Sequence, residues 1–122
     1  MKQIKLTVSH RGGVNCDSFS GRPNGKDVRQ ALSLDEKDKD NEQYTVTIPE
    51  DTISFNPSFY LGLFFDSIKY FNDIEKFKQK YSFDFSNLDD ESRSCLEDNI
   101  SQCERKASNE LLGYTGLDFL KM

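Results

Sequence analysis

His10 and Cys16 are the residue types that nucleophilic catalysis uses most directly. A thiol becomes a nucleophile when a nearby imidazole takes its proton, and these two residues lie six positions apart. A third group that would orient the imidazole is not evident, and a histidine beside Arg11 in a glycine-rich loop is typical of a surface position. We therefore predict no catalytic residues and no enzymatic activity.

Three acidic residues, Asp38, Asp40 and Glu42, alternate as the first ligands of a calcium-binding loop do. Such a loop needs glycine at its sixth position and glutamate at its twelfth, where this chain has Gln43 and Pro49. The chain also contains neither a Walker A loop nor a GxGxxG fingerprint. The sequence therefore predicts no metal site and no other cofactor.

The segment GRPNG at 21–25 is the strongest candidate for binding an anion. Its glycines and Arg22, followed by the N-terminus of a helix, are the components of an anion-binding concavity. Arg29 would supply a second cation from that helix. In the alternative interpretation, Gly25 forms a turn and Asn24 caps the helix. The candidate anion-binding residues are Arg22, Gly25 and Arg29.

Alternation of polar and apolar residues predicts two strands in the first half of the chain, at 3–9 and 43–48. Between them we predict a long loop at 10–25, a short helix at 26–34 and a solvated, highly charged connection at 35–42. The residues expected on the buried face of the two strands are Ile4, Leu6, Val8, Tyr44, Val46 and Ile48.

A short extended segment at 52–55 leads into the helix with the clearest boundaries in the sequence. Asn56 is a good N-cap, and Pro57 suits the first helical position because its missing N–H is not needed there. The following residues, up to Phe71, are apolar on almost every side. A helix of this kind is buried on more than one face or presents apolar surface to a partner.

Two further helices are predicted in the second half of the chain. Asn72 with Glu75 forms a capping box for the first, and a short strand or extended link follows at 82–86. Asn87 with Asp90 begins the second helix, whose first turn is acidic. We expect Cys95 and Cys103 to be small core-facing residues in that helix, and we expect a buried stripe made of Leu96, Ile100, Cys103 and Ala107.

These elements predict one small α/β domain, in which three to four helices pack on a mixed sheet of about four strands. We place the domain at 1–108 and a C-terminal tail at 109–122, where glycines interrupt the sequence too often for one long helix. No run of about 18 apolar residues and no secretory signal is present, and the three cysteines form no CxxC pair. We expect a cytoplasmic protein that does not enter a membrane.

The net charge of −5 is unevenly distributed along the chain. Residues 1–29 carry six Lys or Arg against two Asp, and the remainder carries ten basic against nineteen acidic residues. This charge distribution is not that of a uniformly basic nucleic-acid-binding protein, so we expect no direct contact with nucleic acid. One hypothesis is therefore a small acidic inhibitor, encoded by a phage or plasmid, that binds a basic nucleic-acid-handling protein.

The order of elements and three stretches of sequence resemble the STAS-like family of bacterial domains of unknown function. The stretches are GRPNGKDVRQAL at 21–32, YTVTI at 44–48 and SFNPSFYLGLFF at 54–65. In that family a glycine-containing dipeptide precedes a helix that carries an arginine, and Asn24, Gly25 and Arg29 match this pattern. A Ser-Phe pair at the start of an apolar helix is matched by Ser58 and Phe59.

The resemblance implies a non-enzymatic regulatory domain that binds a protein, as STAS domains bind anti-sigma factor kinases. In those domains the bound kinase phosphorylates a serine at the start of this helix. Pro57 falls at that position here, so either Ser58, at the following position, or Ser54 would substitute for it, and Ser58 is the candidate phosphorylation site. We expect a kinase-like ATPase or another regulator as the partner. The predicted partner-binding residues are Asn56, Ser58, Phe59, Arg22 and Arg29.

Overall fold

The computed structural model of the chain describes residues 2–7, 10, 18–50 and 52–120, and only the backbone of 114–120. The chain forms a small α/β domain that is 62% helical, with short parallel strands in two small sheets. The strands are β1 (Lys2–Lys5), β2 (Ser18–Phe19), β3 (Tyr44–Thr47), β4 (Ser54–Phe55) and β5 (Tyr81–Asp84). The helices are α1 (Arg22–Ala31), α2 (Leu34–Lys39), α3 (Pro57–Phe71), α4 (Ile74–Lys80) and α5 (Asp90–Leu120). None of the helices in the described part of the chain combines the length and the apolar composition that a membrane span requires.

Strands β1, β3 and β5 form the larger sheet, with β3 in the centre and both pairings parallel. The chain crosses this sheet in one direction, and right-handed crossovers then place the connecting helices on one face. Gln3 and Ser82 are exposed on the opposite face. The second sheet pairs β2 with β4, again in parallel. The predicted burial of strand residues is confirmed for Ile4, Leu6, Tyr44, Val46 and Ile48.

The core is built around α3, in which every residue from Phe59 to Phe65 is buried. Tyr60 and Phe64 pack edge to face with their ring centroids 5.4 Å apart, and Phe64 lies 5.1 Å from Phe77 of α4. Aromatic rings remove large apolar areas from water, which offsets the low hydrophobic content of the chain. The all-round apolar character of α3 therefore reflects burial on more than one face, as its sequence predicts.

Helices α1 and α3 pack at two glycines that leave no room for a side chain. A Cβ atom on Gly25 of α1 would overlap the carbonyl oxygen of Phe59 and lie 2.9 Å from the nitrogen of Leu63. A Cβ atom on Gly62 of α3 would overlap the carbonyl oxygen of Arg22 and lie 3.1 Å from its carbonyl carbon. Backbone atoms cannot rotate away as side chains can, so the two glycines fix the distance between the helices.

Several of the predicted helix boundaries are wrong, including that of α5, which Asp89 caps in place of Asn87 by accepting the Ser92 N–H at 2.8 Å. Helix α1 begins at Arg22 and not at residue 26, because a proline at its start is tolerated and Gly21, at φ 88°, forms its N-cap. Helix α2 forms within the charged segment where the sequence predicts a solvated connection. Asn72 ends α3 in the left-handed conformation (φ 55°), and the side chain of Asp73 caps α4 instead.

The sheets and the C-terminal region also differ from expectation. In place of one mixed sheet, the described residues form a three-stranded and a two-stranded parallel sheet, because Ser18–Phe19 in the glycine-rich loop pairs with β4. Helix α5 continues past residue 108 to Leu120, since each of the two glycines there, Gly113 and Gly116, costs only about 1 kcal/mol in a helix. Cys95 is exposed, and Val8 lies outside the described residues. The predicted stripe is confirmed for Leu96, Ile100, Cys103 and Ala107.

Candidate functional site

The segment that leads into α3 carries the exposed part of the predicted partner-binding site. Asn56 and Ser58 are exposed, and the nearby Ile53 has 63% of its surface in solvent. The backbone N–H of Asn56 donates to the carbonyl oxygen of Phe19 in β2 at 2.8 Å, and the Asn56 side chain accepts a hydrogen bond from the Ser58 N–H at 2.8 Å. These bonds hold the segment in place and confirm the predicted N-cap. We refer to Ile53, Asn56 and Ser58 as the α3-start surface.

Phe59, the next residue along the helix, is fully buried. Its ring centroid lies 5.2 Å from that of Phe19 and 5.1 Å from that of Phe55. A step of one residue turns the side chain by about 100° around the helix axis, which takes it from solvent to the small sheet. Phe59 therefore belongs to the core and not to a surface that a partner contacts.

Arg29 is also buried, with 5% of its surface exposed, and all of its donors are engaged. Its NH1 group donates to the carbonyl oxygen of Leu63 at 2.9 Å and to Ser67 Oγ at 2.7 Å. Its NH2 group donates to Asp35 and Asp38 at 2.7 Å each, and Nε donates to Asp35 at 3.1 Å. A guanidinium group has five N–H donors, so none is left for an external anion or a partner.

Arg22 and Gly25, the other candidate anion-binding residues, have different roles in the structure. The two terminal nitrogens of Arg22 each lie 3.2 Å from one carboxylate oxygen of Glu110 in α5, and its guanidinium lies over the ring of Phe65. Gly25 is buried against α3 and lies inside α1, not in a loop before it. The GRPNG segment therefore does not form the predicted concavity with Arg29.

Asp38 is the centre of a buried polar cluster that the sequence does not reveal. Its Oδ1 atom accepts hydrogen bonds from the Tyr81 hydroxyl at 2.6 Å and from Ser67 Oγ at 2.7 Å, and its Oδ2 atom accepts from Arg29 at 2.7 Å. Burial is the main cause that raises the pKa of Tyr81 far above its usual range, and the hydrogen bond to Asp38 adds to it. The cluster joins α1, α2, α3 and β5, and its internal bonds make it a structural element.

Asp40, at the end of the charged segment, also has its carboxylate paired internally. Lys80 Nζ donates to Asp40 Oδ1 at 2.9 Å, to the Asp40 carbonyl oxygen at 2.8 Å and to the Glu42 carbonyl oxygen at 2.9 Å. The Tyr44 hydroxyl donates to the second carboxylate oxygen of Asp40. The hydrogen bond from Lys80 is the main cause that lowers the pKa of Asp40. A lysine thus occupies the place that a metal ion would need beside the Asp40 carboxylate.

A groove lies between the outer edge of β5 and the part of α5 from Glu97 to Glu104. It is open to solvent and has a volume of about 300 Å³. Its apolar lining is Phe83, Phe85 and Ile100, and its polar lining includes Lys78, Glu97, Ser101 and Glu104. Burial raises the pKa of Glu104, whose carboxylate lies 3.9 Å from Lys78 Nζ. No local sequence signal predicts this β5–α5 groove, because it depends on how α5 crosses the sheet edge.

The residue types of nucleophilic catalysis are not brought together in the described part of the chain. Nδ1 of His10 accepts a hydrogen bond from the Thr7 N–H at 3.1 Å, and burial lowers the pKa of this histidine. Cys16 lies outside the described residues. Burial raises the pKa of Cys103 to about 12. Within the ranges that the structure describes, no group of three or more His, Cys, Asp or Glu residues could hold a metal ion.

No protein-family model matches this chain, and neither does any curated protein or solved structure. Among the described residues, the α3-start surface and the β5–α5 groove face solvent and offer groups for contact with another molecule. Both combine exposed or accessible apolar side chains with polar groups, which is the chemistry of binding.

Proposed function

We propose that the chain is a non-enzymatic regulatory module of the STAS-like type that docks on a protein partner, a kinase-like ATPase or another signalling protein. The observation that carries this proposal is the joint exposure of Ile53, Asn56 and Ser58 on the segment that leads into α3. A large exposed aliphatic side chain beside polar groups suits a protein interface, which has an apolar centre and a polar rim.

The rigidity of the segment supports docking at the α3-start surface. β4 pairs with β2, and the N-cap of α3 holds the turn between strand and helix. A segment that is already ordered loses little conformational entropy when it binds, so more of the contact energy remains as affinity. Arg29 and Phe59 are buried and contribute to this site by supporting the fold, whereas Arg22 is partly exposed and paired with Glu110.

Ser58 is the residue through which phosphorylation would control the docking. It is the second residue of α3, where the helix dipole stabilises negative charge. A phosphate would add about 1.5 to 2 negative charges beside Ile53. The fold would tolerate this group, whereas a partner that contacts the surface would meet a different charge.

The test uses Ile53→Asp and Ser58→Glu, with Ser94→Glu as the matched control because Ser94 is also an exposed helical serine. The immobilised chain captures partners from a lysate of the source organism, and the dissociation constant of each purified candidate is then measured by calorimetry. We expect a kinase-like ATPase or regulator whose affinity falls at least about tenfold with Ile53→Asp and Ser58→Glu. Ser94→Glu should leave the affinity unchanged.

Equal binding by the wild type and both α3-start variants, with thermal midpoints unchanged, would show that this surface is not the docking site. Ser58→Glu should raise the thermal midpoint slightly or leave it unchanged, because a carboxylate in the first turn is stabilising. A loss of binding in that variant is then an effect at the interface and not a loss of fold.

A second candidate function, an acidic inhibitor of a basic nucleic-acid-handling protein, is favoured by the surface of α5. Five carboxylates at the start of this helix are exposed, and Arg93 is the single basic residue among 89–98. These acidic residues are Asp89, Asp90, Glu91, Glu97 and Asp98. Replacing all five by lysine should abolish inhibition of such a partner, and raising the salt concentration should weaken binding by the unmodified chain. Indifference to both changes would exclude this function.

A further inference from the structure

We infer that the β5–α5 groove binds an extended segment of a protein partner. The segment adds as a strand to β5 and places one apolar and one basic side chain in the groove. This site does not include Ser58 or the rest of the α3-start surface. It therefore goes beyond the proposed function and is tested independently of it.

The outer edge of β5 offers backbone groups for strand addition. β5 is the last strand of its sheet, and successive residues of a parallel strand alternate between facing the neighbour and facing outward. The carbonyl oxygen of Asp84 accepts a hydrogen bond from the Ile48 N–H at 3.2 Å, so the backbone N–H and C=O groups of Asp84 point toward β3. The backbone groups of Phe83 therefore point away from β3, toward the outer edge. Among the residues that the structure describes, no strand pairs with that outer edge. An unpaired edge is a template for an added strand.

The groove has the length of a short strand. The part of α5 from Glu97 to Glu104 rises about 10 Å, and three extended residues cover the same distance. A cavity of about 300 Å³ is at the lower limit for small-molecule sites. In a strand added to β5, residues two positions apart point to the same face, so two side chains of the segment enter the groove.

The lining of the groove defines the chemistry of those two side chains. Phe83 and Ile100 provide an apolar wall, which favours an aliphatic or aromatic residue. Glu97 and Glu104 provide two carboxylates, whereas Lys78 is the single cation among the described lining residues. The excess negative charge favours Lys or Arg and repels an acidic segment.

Selection of displayed random heptapeptides against the whole chain tests this inference. We expect the enriched peptides to share an apolar residue and a Lys or Arg two positions apart. Methylation of backbone nitrogens in a selected peptide should weaken binding about tenfold or more, because strand pairing needs the N–H donors. On titration with that peptide, the amide NMR shifts that change should be those of β5 and of residues 97–104.

Glu97→Lys and Asp98→Lys form a matched pair for the peptide assay. Both residues are exposed neighbours on α5 and both changes alter the charge equally, but only Glu97 lines the groove. We expect Glu97→Lys to weaken the selected peptide about tenfold and Asp98→Lys less than about twofold. Ser101→Trp should fill the groove and abolish binding with little change in thermal midpoint, because Ser101 is exposed.

Three outcomes would overturn the inference. The first is a selection that enriches no common peptide pattern. The second is an equal effect of Glu97→Lys and Asp98→Lys, which would indicate a general acidic surface. The third is a dimer of the chain that Ser101→Trp dissociates, which would show that a second copy occupies the edge of β5. Ser58 does not line the groove, so Ser58→Glu should leave the binding of a selected peptide unchanged. A negative result at the groove is therefore distinct from a negative result at the α3-start surface.

Discussion

Replacing Gly62 with alanine is the sharpest test of how α1 and α3 are held together. The added methyl group would overlap the carbonyl oxygen of Arg22, and a backbone atom can move only if the whole of α1 moves. Overpacking of this kind costs about 3 kcal/mol, whereas alanine is better than glycine in a helix by about 1 kcal/mol. We therefore expect a net loss of about 2 kcal/mol in the free energy of unfolding.

This loss corresponds to a lower thermal midpoint. An unfolding entropy of about 2.1 cal/mol/K per residue gives about 0.26 kcal/mol/K for 122 residues, so 2 kcal/mol lowers the midpoint by about 8 °C. Circular dichroism during heating measures this midpoint, and urea unfolding gives the free energy independently.

Gly113→Ala is the matched control, because Gly113 also lies within a helix but has nothing within 4 Å of the point where its methyl group would lie. It should raise the midpoint by up to about 4 °C through helix propensity alone. Gly25→Ala should destabilise the chain as Gly62→Ala does. The double variant should lose less free energy of unfolding than the two single variants together, because both changes disturb the same contact between α1 and α3. A Gly62→Ala chain as stable as the wild type would refute the close-packing argument.

Three further predictions concern Arg29, Asp40 and Cys103. Arg29→Met leaves the buried Asp38 carboxylate without its cation, and urea unfolding should show a loss of about 3–5 kcal/mol. The hydrogen bond from Lys80 lowers the pKa of Asp40 in the folded chain, so the ionised Asp40 stabilises the fold above about pH 4, and this stabilisation is lost as the pH falls further. Thermal midpoints measured across acid pH test this. Cys103, whose pKa burial raises to about 12, should resist iodoacetamide in the folded chain while Cys95 reacts, as peptide mapping will show.

Controls for these predictions lie on the same chain. Arg93→Met removes an exposed arginine and should change the free energy of unfolding by no more than about 0.5 kcal/mol. Asp40→Asn should flatten the acid dependence of the midpoint. Wild-type stability in Arg29→Met, an acid profile unaffected by Asp40→Asn, or alkylation of Cys103 as fast as that of Cys95 would contradict the corresponding assignment.

Local signals in the sequence were sufficient for the elements that depend on neighbouring residues. The cap at Asn56 and the alternation at Tyr44, Val46 and Ile48 each involve a few consecutive positions, and the structure confirms both. The stripe on α5 is confirmed for the same reason, since a helical repeat is visible without knowledge of the fold.

Features that depend on distant residues could not be predicted. Asp38 resembles its charged neighbours in sequence, and it is buried because Arg29, Ser67 and Tyr81 supply its partners from three other elements. The two residues of β2 are too few to form a recognisable pattern, and they form a strand because β4 lies beside them. Among the candidate site residues, the sequence places Ser58 correctly at the start of a helix but gives no indication that Arg29 is saturated.

The parallel register of the larger sheet has a consequence for how quickly the chain folds. Lys2 pairs with Tyr44, 42 residues away, and Tyr44 pairs with Tyr81, 37 residues away. Closing a flexible loop of about 40 residues costs about 3 kcal/mol of entropy by the logarithmic dependence on loop length, before any strand contact compensates for it. Helices form in about a microsecond and can shorten these loops by docking through their glycines. Joining of the strands would then limit the folding rate, so the chain should fold more slowly than a helical protein of its size.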